Sequence, residues 1–157
     1  SSPMMSEKVL QLKAPRIGEL PTINPAYATR PYRYVYSLPN RGYSTLLDSI
    51  AKTDLHTRET LYWDNPRGHT PGEAVFIARP PGDDDGDGAR DEDDGVLLSV
   101  VLDGPRRTSY LVCLDAKTMR ELGRADCDWA IGMGFHGLHS PPATEPKAAA
   151  ATAKAAL

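Results

Sequence analysis

The sequence predicts an all-β fold, and three features of its 157 residues lead to this prediction. Short runs rich in aromatic and β-branched residues recur along the chain, and Gly, Pro and Asn turn signals separate them. Helix signals are poor everywhere ahead of residue 140. The run VLLSVVL at 96–102 lies between Gly95 and Gly104 and is too short and too β-branched to favour a helix. Because this run is apolar almost throughout, we expect a strand that is buried on both faces.

The strand candidates follow one another closely. The first, Tyr32–Ser37, is aromatic and β-branched and precedes a Pro-Asn-Arg-Gly turn signal at 39–42. Seven further candidates follow it in the chain: Thr45–Lys52, Thr60–Trp63, Glu73–Ala78, Val96–Leu102, Ser109–Leu114, Leu122–Cys127 and Ile131–Phe135. The Ala- and Pro-rich segment 140–157 has only Leu157 as a large apolar residue, so it is predicted to be a disordered tail.

The composition is that of an ordinary globular domain, with 40% hydrophobic and 25% charged residues. A formal charge of −3 gives no basis for a nucleic-acid surface, so no nucleic-acid partner is expected. No apolar run is long enough to span a membrane, and the N-terminus lacks the pattern of a signal peptide. With only two cysteines, a reducing, cytoplasmic setting is the expectation.

A dense acidic block occupies residues 83–94 (DDDGDGARDEDD). Its spacing overlaps that of a calcium-binding EF-hand loop, but the last ligand position holds Asp94 instead of Glu, and a strand follows instead of a helix. A solvated insertion is therefore the preferred interpretation, and a calcium-responsive module remains an alternative.

One local pattern occurs twice, 61 residues apart. Asp54-x-x-Thr57 and Asp115-x-x-Thr118 each lie between two predicted strands. A hairpin repeated at this spacing is a weak indication of a β-propeller, although Asp and Thr are also simply good turn residues. Since a propeller needs at least four blades to close, the chain would then be a piece of a larger structure.

Three histidines are candidates for a functional role. His56 lies in a predicted turn and His69 in a predicted loop, and nothing in the sequence supports a role for either. His136 follows the strand-like IGMGF and is flanked by Gly134 and Gly137, which permit close backbone approach. A buried structural histidine is the commoner outcome for such a residue, and no metal-binding spacing is present.

Two acidic residues lie at the start of predicted apolar stretches. Glu19 and Glu73 each begin an apolar stretch just after a glycine. A carboxylate at the mouth of a buried strand has to be paired or hydrogen-bonded. On the sequence pattern alone, exposed residues at strand ends are the simpler explanation.

Five segments nevertheless resemble the C-terminal part of the carotenoid cleavage oxygenase family, nearest to its fungal branch that cleaves torulene and β-carotene. The resemblance covers residues 18–139 and keeps the order of the motifs, which are GELPTINPAYATRPYRYVYS, PGEAVFIARP, EDDGVLLSVVLDG, SYLVCLDAKTMRELGRA and GFHGLH. The chain departs from the family in having Gly72-Glu73-Ala74 for the usual Ser-Glu-Pro, a longer acidic block and the Ala-rich tail.

The resemblance implies that residues 1–139 are the last blades of a seven-bladed β-propeller and that 140–157 are a tail. It implies a non-haem Fe(II) site of four histidines that cleaves a C=C bond of a carotenoid or apocarotenoid with O₂ to aldehydes. Carried onto this chain, His136 matches an iron ligand, and Glu19 and Glu73 match glutamates that hold iron-bound histidines. With one ligand of four, the chain alone is expected to be inactive.

Two further expectations follow from the resemblance. A lipid-soluble substrate leaves open a peripheral contact with membranes, through parts of the family's fold outside these residues. The alternative function is that of a non-catalytic β-propeller interaction protein derived from the family, which would have kept the blades and lost the iron site.

Overall fold

The computed structural model describes residues 18–80 and 90–140, which form two antiparallel β-sheets. The first sheet has the order β1-β2-β3-β4 and comprises Glu19–Thr22, Tyr34–Leu38, Ala51–Asp54 and Thr60–Tyr62. The second has the order β5-β7-β8-β9, with β6 also paired to β7, and comprises His69–Pro71, Val75–Ala78, Gly95–Asp103, Thr108–Asp115 and Glu121–Cys127. A single turn of 3-10 helix, Pro25–Tyr27, follows β1. No helix in the described ranges is long and apolar enough to cross a membrane.

The all-β prediction is confirmed, and two of the predicted strands are wrong. The candidate Thr45–Lys52 becomes a strand only from Ala51, because the buried carboxylate of Asp48 accepts backbone N–H groups and holds the chain in a loop. The candidate Ile131–Phe135 is irregular. Its backbone is instead anchored by Ser109, whose Oγ accepts the Ile131 N–H at 2.9 Å. Two short strands, β1 and β5, were not predicted, because proline and polar residues mask their pattern.

The longest strand, β7, is buried on one face only, so the prediction of burial on both faces is wrong. Leu97, Ser99 and Val101 are buried, whereas Val100 between them is 36% exposed. Val100 pairs with Leu111 of β8, which is 39% exposed on the same face. Among residues 18–80 and 90–140, only the irregular segment 134–139 lies against part of this face of the second sheet.

The core lies between the two sheets. Tyr36 of β2 stacks on Phe76 of β6 with ring centroids 5.8 Å apart, and its hydroxyl donates to the carbonyl of Ala116 at 3.1 Å. Burial raises the pKa of the Tyr36 hydroxyl far above its usual range, so that it stays a neutral donor. The side chains that are almost completely buried include Trp63, Leu38, Ile50, Leu97, Leu114, Val101 and Val112.

Two consecutive acids join the sheets at the start of β7. The carboxylate of Glu92 accepts the backbone N–H groups of Arg33 and Tyr34 at 2.9 and 2.8 Å. Asp93 forms a buried ion pair with Lys52 of β3, and the same ammonium donates to the carbonyl of Lys117 at 2.9 Å. These contacts fix the first sheet against the second.

The repeated Asp-x-x-Thr pattern forms two equivalent hairpin turns, between β3 and β4 and between β8 and β9. In each turn the Asp carbonyl accepts an N–H four residues later at 2.8 Å, from Arg58 in one and Met119 in the other. Both donors have a positive φ, of 65° and 62°. The sequence repeat therefore corresponds to a structural repeat.

The acidic residues 83–89 and the tail from residue 141 lie outside the described residues.

Candidate metal-binding site

The backbone brings Glu73 and His136 together. Glu73 lies between the end of β5 and the start of β6, and His136 lies in the irregular segment after β9. Glu73 Oε1 is 3.0 Å from His136 Nδ1, and Oε2 accepts the backbone N–H of Gly137 at 2.8 Å. The Glu73 side chain is only 10% exposed, whereas that of His136 is 76% exposed. The buried carboxylate of Glu73 thus contacts one ring nitrogen of the exposed His136 imidazole.

This geometry fits a histidine that would bind a metal ion through its other ring nitrogen. A carboxylate on Nδ1 fixes the proton on that nitrogen, which leaves Nε2 as a lone-pair donor and makes it more basic. Nε2 of His136 has no partner among the described residues, so it is free to act as a ligand.

Glycines allow the segment that carries His136 to lie close to the residues around Glu73. A Cβ on Gly137 would lie 2.7 Å from Cγ2 of Val75, and one on Gly72 would lie 3.1 Å from the carbonyl oxygen of Gly134. Sequence reasoning noted the glycines beside His136 but missed the Gly137 N–H as a second donor to Glu73. The Gly after the His was the available signal.

An open cavity of about 250 Å³ adjoins the pair. Its wall is largely apolar, formed by Val75, Leu98, Val100, Leu111 and Leu138. Leu138 is 93% exposed, and Phe135 nearby in sequence is 65% exposed. The imidazole therefore stands beside an unfilled apolar surface.

The other candidate residues lie elsewhere. Glu19 is exposed at the first position of β1, its side chain has no hydrogen-bond partner in the described part of the chain, and its role stays a prediction. His56 is exposed in the β3–β4 turn, as expected. His69 is buried in β5, so its placement in a loop is wrong. Its Nδ1 is 2.9 Å from the hydroxyl of Tyr110, and burial lowers its pKa.

Within residues 18–80 and 90–140, no group of three or more His, Cys, Asp and Glu side chains could hold a metal ion. The donor chemistry of His136, with Nδ1 on a carboxylate and Nε2 open, fits one ligand of a metal site whose remaining ligands lie elsewhere.

Comparison with known families gives one match over residues 2–141, to the model described as RPE65, retinal pigment epithelial membrane protein. The chain is 61% identical over 136 residues to a carotenoid dioxygenase of Neurospora crassa, and 52% identical over 138 residues to a torulene dioxygenase of Fusarium fujikuroi. These alignments cover 87% and 88% of this chain and 21% and 23% of the relatives. The chain thus spans about a fifth of the length of these relatives.

Solved structures resemble this fold as well. A cobalt-substituted Synechocystis ACO superposes with a TM-score of 0.69 at 29% identity, covering 78% of this chain and 25% of that chain. An ACO/RPE65 chimera superposes with a TM-score of 0.67 at the same identity. These structural neighbours are β-propellers, so the prediction of part of a β-propeller is confirmed.

Proposed function

Because the chain belongs to the RPE65/carotenoid oxygenase family, we propose that it is the C-terminal part of a non-haem iron-dependent dioxygenase. The proposed reaction cleaves one C=C bond of a carotenoid or apocarotenoid with O₂ and gives two aldehyde products. Relatives named carotenoid dioxygenase and torulene dioxygenase support this substrate class. The residues of this chain would contribute one edge of the active site.

The observation that carries the proposal is the contact between Glu73 and His136. Nε2 of His136 would bind Fe(II), which when bound would supply the activation of O₂. Glu73 would keep the proton on Nδ1 and hold the ring in place, since a carboxylate at 3.0 Å stabilises that tautomer. Because the Gly137 N–H occupies the other carboxylate oxygen, Glu73 cannot easily rotate away from the ring.

The apolar wall beside His136 fits a polyene. Val75, Leu98 and Leu111 would exclude water from one side of the site and contact a hydrocarbon chain. Three further histidines, one of them held by Glu19, would come from a longer protein of which this chain is a part. We also propose a cytoplasmic location, which the low number of cysteines supports. Peripheral contact with membranes is proposed because the substrate is lipid-soluble.

The test is to express the complete open reading frame beside the 157-residue chain and to measure bound iron and aldehyde formation from an apocarotenal and from torulene. The longer protein should bind one Fe(II) and form aldehydes, and the chain alone should do neither. His136→Ala in the longer protein should abolish both, whereas His56→Ala, in an exposed turn, should preserve both. Full iron content and activity in the His136→Ala variant would overturn the assignment of His136, and a complete protein without iron would overturn the proposed function.

A further inference from the structure

We propose that Thr22 and Ser99 are positioning residues, which clamp the backbone on either side of Glu73 and thereby set the orientation of His136. The positioning of Glu73 rests on two hydrogen bonds of the structure, one from each hydroxyl. The effect of this positioning on iron binding rests on the proposed function. Neither residue touches His136, so each would act only through the segment 72–74.

Thr22 reaches the site from the other sheet. Its Oγ1 donates to the carbonyl oxygen of Ala74 at 2.7 Å, across 52 residues of sequence. The register of β1 on β2 shifts between Glu19 and Thr22, and Leu20 between them has a φ of +47°. Such a bulge re-aims a side chain, and here the irregular strand presents the Thr22 hydroxyl to the second sheet.

Ser99 of the second sheet holds Gly72, the residue before Glu73. Its side chain is 2% exposed, and Oγ donates to the carbonyl oxygen of Gly72 at 2.8 Å. The N–H of Gly72 donates to the carbonyl of Val100 at 2.8 Å. Ser99 lies on the buried face of β7, where an apolar residue is expected and a hydroxyl requires a partner.

The two hydroxyls thus fix the carbonyls immediately before and after Glu73. The segment 72–74 belongs to neither β5 nor β6, so regular strand pairing holds it only at its ends. Glu73 has three rotatable side-chain bonds, yet its two oxygens make separate contacts at 3.0 and 2.8 Å. A backbone that is held in place lowers the entropic cost of keeping both contacts at once.

The first experiment measures hydrogen exchange in the full 157-residue chain, at low concentration and with resolution of the Gly137 amide. Thr22→Val and Ser99→Ala each remove one hydroxyl at nearly constant shape. The loss of a hydrogen bond of ordinary strength should speed exchange at Gly137 by roughly fivefold, while the amides of β8 keep their protection. Thr22→Ser restores the hydroxyl and should restore the protection.

Matched controls separate positioning from general stability. Thr53→Val removes a buried threonine hydroxyl bonded to Thr60 at 3.1 Å, and Ser49→Ala removes a buried serine hydroxyl bonded to the Trp63 carbonyl at 3.3 Å. Both controls should leave Gly137 exchange unchanged relative to β8. Unchanged Gly137 exchange in Thr22→Val and Ser99→Ala, or an equal rise throughout the chain, would overturn the clamp.

The second experiment measures the rate at which ferrozine removes Fe(II) from the complete holoenzyme. Thr22→Val and Ser99→Ala should release iron several-fold faster than wild type, and Thr22→Ser and Thr53→Val should release it at the wild-type rate. Equal rates in all variants would overturn the link from the clamp to the metal. A holoenzyme without iron would refute the proposed function, while the exchange experiment would still decide the clamp.

Discussion

Glu73 and His136 are 63 residues apart in the chain, and a contact of 3.0 Å between Oε1 and Nδ1 joins them. The contact is asymmetric, because the carboxylate is nearly buried and the ring is open. An ionised carboxylate in that position needs donors, and it finds them in the ring N–H and the Gly137 N–H. The arrangement therefore specifies which nitrogen of His136 is available to a metal.

Replacing the carboxylate by an amide should weaken iron binding without preventing folding. Glu73→Gln keeps the size of the side chain, but an amide accepts from the imidazole more weakly and can present its nitrogen instead. Loss of such a partner typically costs about 10–100-fold in metal affinity or activity. Iron affinity and aldehyde formation in the complete enzyme check this. Glu121→Gln, which removes a surface ion pair with Arg124, is the control and should be silent.

Adding one methyl group at Gly137 should disturb the same contact. The new Cβ would meet Cγ2 of Val75 at 2.7 Å, so either Val75 or the segment carrying His136 has to move. Overpacking of this kind costs about 1–3 kcal/mol. Gly137→Ala should release iron faster and melt at a lower temperature. Gly123→Ala, where nothing lies within 4 Å of the new Cβ, should match wild type in both measurements.

The ion pair between Lys52 and Asp93 should be essential for docking the sheets. Both side chains are about 5% exposed, so Lys52→Met leaves a buried carboxylate without its counter-charge. Such changes destabilise proteins by about 3–5 kcal/mol, which denaturant titration would measure. Lys117→Met breaks an exposed pair with Asp91 and should cost far less. Equal losses in the two variants would contradict the role of the buried pair.

The buried histidine His69 should make stability depend on pH. Burial lowers the pKa of His69 in the folded state, and the positive charges of Arg124 and Arg106 lower it further. The carboxylate of Asp103 raises that pKa, but its effect is smaller than that of burial. The unfolded chain binds a proton near pH 6.5, so the neutral folded form is fully stable above that pH and loses stability as the pH falls below it. His69→Gln should show a smaller drop in the urea midpoint between pH 7.5 and 5.5 than wild type, and His56→Gln should show the wild-type drop.

Strands with a strong local signal were predictable from sequence, and those defined by distant contacts were not. Residues 96–102 and 109–114 carry enough apolar and β-branched character to specify β7 and β8. The strand β5 contains His69 and Pro71 and exists because Asp103 and Val101 of β7 pair with it. Residues 45–50 do not form the predicted strand, because the carboxylate of Asp48 accepts backbone N–H groups of its own loop.

The candidate site could be proposed from sequence only through family resemblance. No local spacing connects Glu73 to His136, because the fold, and not a motif, brings them together. Thr22 and Ser99 carry no sequence signal at all. A threonine at the end of a short strand and a serine within an apolar strand are ordinary until the carbonyls that they contact are known.

Backbone and side-chain contacts join the end of β6 to the start of β7. Ala78 pairs with Gly95, the Arg79 N–H donates to the carbonyl of Asp94 at 3.1 Å, and the two side chains form an ion pair at 3.0 Å. Doubling the length of a flexible connection costs only about 0.6 kcal/mol. A peptide tag or a fluorescent reporter inserted directly after Arg79 should therefore leave the pairing of β6 with β7 in place.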